Sequence, residues 1–163
     1  MRKLMLYETL HEEDFTAIGK CAASFSTLEH HLVNALIALH GGPKKIGAKS
    51  KTERDIHSAI SGTLGIRLKA FTEAYRLKYS SDSEIDKFEE NLSEGLNCRN
   101  HFLHGLWRKS GSHLICEFWK RSKEGPIFLE ARISREEILE IHENNKRNII
   151  ALDEFIKEEE AKF

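Results

Sequence analysis

The residues best suited to chemistry are Arg99, Asn100 and His104, in the run Arg99-Asn100-His101-Phe102-Leu103-His104. A neutral imidazole can take the proton of a 2′-hydroxyl, because its unperturbed pKa of about 6.5 lies close to cellular pH. A guanidinium is always charged, and its planar fork matches phosphate oxygens. It can therefore stabilise the negative charge that builds in a phosphorane-like transition state. An Asn amide can orient the phosphate or the imidazole. Together these groups suit transesterification of RNA, a reaction that requires neither metal nor cofactor. One imidazole per chain does not comfortably serve as both base and leaving-group acid. A symmetric homodimer would supply the second.

Whether the three groups converge depends on the helix that carries them. A third helix is expected from Asp82 or Ser83 through Trp107, with Ile85, Phe88, Leu92, Leu96, Leu103, Leu106 and Trp107 as its apolar stripe. Arg99 falls within that stripe and Asn100 on its other side. Asn100 and His104 are four apart and share a face. Arg99 and His104 are five apart, about 140° around the axis, and flank the helix rather than stack. His101 is expected to face solvent as a bystander. In the first helix Glu29 sits mid-stripe, between Phe25 and Val33. A buried carboxylate needs a partner: either a structural ion pair to another helix, or a cation such as Arg99 that it orients.

Three further helices complete the expected set. The first should start near Thr9, with a Thr9/Glu12 capping box, and end at Gly41-Gly42, burying Phe15, Ile18, Ala22, Phe25, Leu32, Val33 and Leu36. The second should start after Thr52, with Asp55 three residues on, and run to about Tyr79, weakened by Gly62 and Gly65. The fourth should be capped by Ser134 with Glu137 and run to about Glu160, with Ile138, Ile141, Ile149, Leu152, Phe155 and Ile156 inward. The alternating runs Leu114–Trp119 and Ile127–Ile133, separated by Gly125-Pro126, predict a β-hairpin. His40-Gly41-Gly42-Pro43 predicts another turn. The expected fold is mainly α: an antiparallel four-helix bundle with a small hairpin between the third and fourth helices. All 163 residues fit one domain.

Composition permits this chemistry and narrows its setting. The chain is 40% hydrophobic and 31% charged, as in ordinary globular proteins. No apolar run reaches the roughly 20 residues of a membrane span. Acidic Glu8, Glu12 and Glu13 follow too soon for a secretory signal, so a cytoplasmic protein is expected. Cys21, Cys98 and Cys116 are scattered and form no CxxC pair, which predicts reduced, half-buried packing thiols. A formal net charge of −1 argues against a broad phosphate-binding surface and for a small local site. Lys44, Lys45, Lys49, Lys51 and Arg54, and again Lys120, Arg121 and Lys123, form local basic clusters, which read as solvated loops.

The motif has a family likeness. Arg99-Asn100-x-x-x-His104, extended by Gly105 and Trp107 and placed late in a third helix, resembles the R-N-x-x-x-H signature of the HEPN superfamily. The resemblance covers most of the chain in arrangement but only about nine residues in identity, Arg99 to Trp107. It implies a metal-independent endoribonuclease, a homodimer with paired motifs in a shared cleft, and 2′,3′-cyclic phosphate products. Members often act as toxins or as effectors of defence against phage, some beside a separate antitoxin. Arg99, Asn100 and His104 carry over directly as catalytic residues, and Glu29 as an inward supporting residue. Some relatives are non-catalytic.

Two other readings stand beside it. One is a non-catalytic helical module for dimerisation or for binding RNA or protein, in which Arg99 pairs with Glu29 as a structural bridge. The other is a carboxylate–histidine metal site, drawing on His101/His104 and Glu53/His57. The paired Glu-x-x-His motifs of a di-iron bundle do not occur.

Overall fold

A computed structural model describes residues 8–42, 51–80 and 83–163, leaving aside the side chains of residues 51–55, 94, 97 and 121. The chain is mainly helical, with a small antiparallel sheet. In order the elements are α1 (Glu12–Leu39), α2 (Lys51–Ser61), α3 (Leu64–Tyr79), α4 (Ser83–His104), β1 (Leu106–Ser110), β2 (His113–Ser122), β3 (Gly125–Ile133) and α5 (Arg135–Glu160). Among the described residues, no helix is long and apolar enough to cross a membrane. The expectations for Pro43, Lys44, Lys45, Lys49 and Asp82, and for the side chains of Lys51, Thr52, Glu53, Arg54, Asp55 and Arg121, lie outside the described residues.

The helix signals at the two ends of the chain fare differently. Ser134 and Glu137 form the expected capping box before α5. The Ser134 N–H donates to Glu137 Oε2 at 2.7 Å, and the Glu137 N–H donates to Ser134 Oγ at 3.1 Å. At α1 the box is displaced. The chain at Glu8 is bridged antiparallel to Lys109, so helix starts only at Glu12, and the His11 N–H donates to Asp14 Oδ2 at 3.0 Å. Asp14 thus does for α1 what Glu12 was expected to do. The buried line of α1 runs through Asp14, Ala17, Cys21, Phe25, Leu28, Leu32 and Leu36, which leaves Phe15 exposed. Positive φ at Gly41 and Gly42 follows the end of α1, as the Gly-Gly pair predicts.

Two boundaries differ from the sequence reading. The expected second helix is two helices, broken at Gly62-Thr63, where Thr63 is extended (φ −74°, ψ 167°) and takes the N-cap position of α3 without a side-chain cap bond. The expected third helix stops at His104, and Leu106 and Trp107 belong to a strand. The hairpin is therefore part of a three-stranded sheet in the order β1-β2-β3. β1 pairs with β2 from Leu106↔Glu117 to Ser110↔His113, and β2 with β3 from Leu114↔Ile133 to Ser122↔Gly125.

The chain gathers into two compact units, each discontinuous in sequence. The first combines the described part of Met1–Ala23 with Asn97–Glu143. One face of its sheet is buried through Leu114, Cys116 and Phe118, alongside burial of Phe102 and Ile138. The buried carboxylate of Asp14 accepts from Lys109 Nζ at 3.4 Å and Arg135 Nε at 3.0 Å. Burial opposes its ionisation, but the His11 N–H and these cations outweigh that and hold the carboxyl below its ordinary value.

The second unit combines Ser24–Leu96 with Asn144–Phe163. Phe71 packs against Phe88, Tyr75 and Phe155, with ring centroids 5.9, 6.2 and 5.6 Å away. Buried polar groups here are matched: Asn145 Nδ2 donates to Ser24 Oγ at 2.9 Å. Glu159, 1% exposed at its side chain, accepts from Lys78 Nζ at 2.6 Å and also from Tyr79 and Lys162.

Candidate functional site

The motif sits where α4 meets the sheet. The Gly105 N–H donates to the His101 carbonyl at 3.0 Å, closing the last helical turn, and β1 begins at the next residue. The Cys116 thiol donates to the same carbonyl at 3.3 Å. A Cβ at position 105 would stand 2.0 Å from Cys116 Sγ and 2.5 Å from the His101 oxygen. Only a residue without a side chain lets this helix end so near β2.

This joint fixes the three motif residues. Arg99 is half-buried, and its Nη1 donates to Asn100 Oδ1 at 3.2 Å; Asn100 and His104 are exposed. His104 opens onto a cleft of about 450 Å³, lined also by Leu106, Glu117, Phe118, Trp119 and Phe128. Among the described residues, neither Arg99 nor Asn100 lines it. Arg99 and Asn100 thus touch each other, while the imidazole faces a separate opening one turn on. His101 does not face solvent as expected. It is half-buried, its ring 4.1 Å from that of Phe118 between centroids and 73° to it. The sheet that follows α4 covers that side of the helix.

Glu29 belongs to the second unit and is buried, as its place in the stripe predicts. A cation placed on it is Arg67 of α3, whose Nη1 donates to Glu29 Oε2 at 3.1 Å. Arg67 also donates from Nε to the Ala59 carbonyl at 3.2 Å and from Nη2 to the Ile60 carbonyl at 2.9 Å. One guanidinium thereby satisfies the last turn of α2 and ties it to α1 and α3.

The thiols are packing groups. Burial pushes Cys21 and Cys116 up to about 12, with smaller contributions from Cys98 and Glu117 respectively, and burial also raises half-buried Cys98. A thiol so shifted is a poor nucleophile at neutral pH. Among the described residues, no three His, Cys, Asp or Glu side chains gather as a metal site would require.

Sequence reasoning missed the neighbours that β2 and β3 bring to His104. Glu117, Trp119 and Phe128 read only as strand residues, although a large aromatic on the outward side of an alternating strand was the available signal. Compared with known protein families, curated proteins and solved structures, the chain matches none of them.

Proposed function

We propose that this chain is a metal-independent endoribonuclease of the HEPN type, built on the antiparallel four-helix bundle expected from its long helices and short connections, with α2 and α3 together in place of the second helix. The observation that carries the proposal is the placement of the motif. A guanidinium, an amide and an accessible imidazole lie on the last turns of α4, and the imidazole opens onto a cleft. In the proposed reaction the 2′-oxygen attacks the adjacent phosphorus and its proton passes to His104. Arg99, held by Asn100, steadies the charge on the phosphoryl oxygens. The bond from phosphorus to the 5′-oxygen then breaks, and that oxygen leaves with a proton from the partner subunit's His104. The products are a 2′,3′-cyclic phosphate and a 5′-hydroxyl.

The separation of the Arg99–Asn100 pair from the cleft favours a site completed across a homodimer. Glu29 supports the fold through Arg67. A toxin or an effector of defence against phage is the biological setting to test, with a separate antitoxin or regulatory protein as partner.

The test is to incubate wild type and His104→Ala with labelled total RNA and tRNA in EDTA. Cleavage by wild type, ending in cyclic phosphate and reduced about 10²–10⁴-fold in the variant, is expected. Equal behaviour of the two proteins refutes the proposal and leaves a non-catalytic binding module.

A further inference from the structure

Beside His104 lies an aromatic pair that acid–base chemistry does not require. Trp119 is 68% exposed and Phe128 45%. They face each other in register across β2 and β3, with ring centroids 5.2 Å apart and planes at 62°. β1 begins at Leu106↔Glu117, so β2 beyond Glu117 has β3 alone as its neighbour among the described strands. The cleft opens at that step, bounded by the last residue of α4.

We propose that Trp119 and Phe128 form a stacking platform for one unpaired base of single-stranded RNA beside His104, with Glu117 accepting a hydrogen bond from that base's exocyclic amine. The placement of the base next to a cleaved phosphate rests on the ribonuclease proposal above.

Size and charge select this occupant. At about 450 Å³ the cleft falls in the range of small-molecule sites, about 300–1,000 Å³. Glu117 is held by Arg108, which also donates to Glu130 at 3.0 Å, and Glu130 pairs in turn with Arg132 at 3.8 Å, so two carboxylates are matched by two guanidiniums. That end carries no excess of positive charge to draw in a phosphate and suits a neutral base. A carboxylate has lone pairs to spare after one guanidinium bond, and cytosine N4 is the kind of donor it takes. Aromatic rings stack bases tolerantly, each with a π-face to offer. A base inside an A-form duplex is already stacked and cannot enter, which restricts the substrate to loops and single strands. An apolar protein surface laid over the same cleft would bury Glu117 and His104 against groups that cannot hydrogen-bond them.

The experiment uses the full chain and a fluorescein-labelled pentamer of 2′-O-methylcytidine, which binds but has no 2′-hydroxyl to react. Fluorescence anisotropy at fixed salt gives Kd. Trp119→Ala and Phe128→Ala should each raise Kd about 5- to 100-fold, whereas Trp119→Phe retains most of the affinity. Glu117→Gln should bring the preference for cytidine over uridine pentamers towards one. The same sequence annealed to its complement should bind wild type and Trp119→Ala alike.

A Trp119→Ala Kd within twofold of wild type overturns the platform. So does a change in molecular mass on Trp119→Ala with oligonucleotide binding unchanged, which assigns the aromatic pair to self-association or a protein partner. The two proposals separate cleanly. Trp119-dependent binding by a wild type that cuts no RNA keeps the platform and removes the nuclease. RNA cleavage that Trp119→Ala leaves unaltered, with unaltered binding, does the reverse.

Discussion

Adding one methyl group at position 105 should damage stability and the proposed chemistry together. The alanine Cβ would lie 2.0 Å from Cys116 Sγ and 2.5 Å from the His101 carbonyl oxygen. Non-bonded heavy atoms rest at about 3.5–4.0 Å, so the sulfur must retreat by about 1.5 Å and the oxygen by about 1 Å. Neither has room. Cys116 is fully buried on the central strand, paired with Trp107 on one side and Ala131 on the other. The oxygen belongs to the backbone of α4 and already accepts two hydrogen bonds. Overpacking typically costs about 1–3 kcal/mol, and two rigid obstacles place Gly105→Ala near the upper end. Urea denaturation should show a midpoint lowered by about 1 M or more, since m is about 1–3 kcal/mol/M for proteins of this kind. Cys116→Ala removes the nearer obstacle. The double variant should therefore be more stable than the sum of the single losses predicts, by about 1 kcal/mol. RNA cleavage should fall as well, because the strained joint is the one that ends α4 at His104. A Gly105→Ala protein within about 0.5 kcal/mol of wild type, or strict additivity with Cys116→Ala, would refute this account of the joint.

Two other perturbations probe the second unit. Burial opposes ionisation of Glu159, but hydrogen bonds from Lys162, Lys78 and Tyr79 prevail and hold its carboxyl at about 2. Against about 4.3 for an unfolded Glu, the difference corresponds to about 3 kcal/mol. That stability is present in full above about pH 5 and is lost as pH falls towards 2, so urea midpoints should fall steeply with acid in wild type and more gently in Glu159→Gln. Arg67→Ala should cost about 3 kcal/mol by thermal or urea unfolding, because Glu29 and two α2 carbonyls lose one donor group. Arg67→Lys should recover less than half, since an ammonium lacks the planar fork, and a loss under 1 kcal/mol for Arg67→Ala contradicts the role assigned to it.

Local signals were legible where the responsible atoms are close in sequence. Ser134 and Glu137 cap α5 from three residues apart, and the turn before Pro126 joins two strands whose alternation is intrinsic to the pleat. Legibility failed where a distant partner decides. Leu106 and Trp107 continue the 3.6-residue period of α4, yet pairing with Glu117 and Cys116 makes them strand. Gly62 reads as a weak point in one long helix. Its break is secured by Arg67, which reaches back to the Ala59 and Ile60 carbonyls. At the candidate site, the inward position of Glu29 was visible from its spacing, but the Arg67 partner was not. His101 was misplaced for a related reason. A helical wheel shows which side of α4 is polar and cannot show that Phe118 will cover it.

The discontinuity of the first unit bears on when the protein can act during its own synthesis. Asp14, near the start of α1, is satisfied by Lys109 and Arg135, which lie 95 and 121 residues further along. Contacts of such sequence separation form late and slowly, because the intervening chain must first be closed into a loop. A ribosome that has translated the motif through His104 has made none of β1, β2 or β3, and so neither the strand against which Gly105 docks nor the aromatic pair beside the imidazole. Assembly of that corner must wait at least until Ile133 has emerged, and the closure at Asp14 until Arg135. A nascent chain therefore passes through a long interval in which the motif exists as sequence but not as geometry.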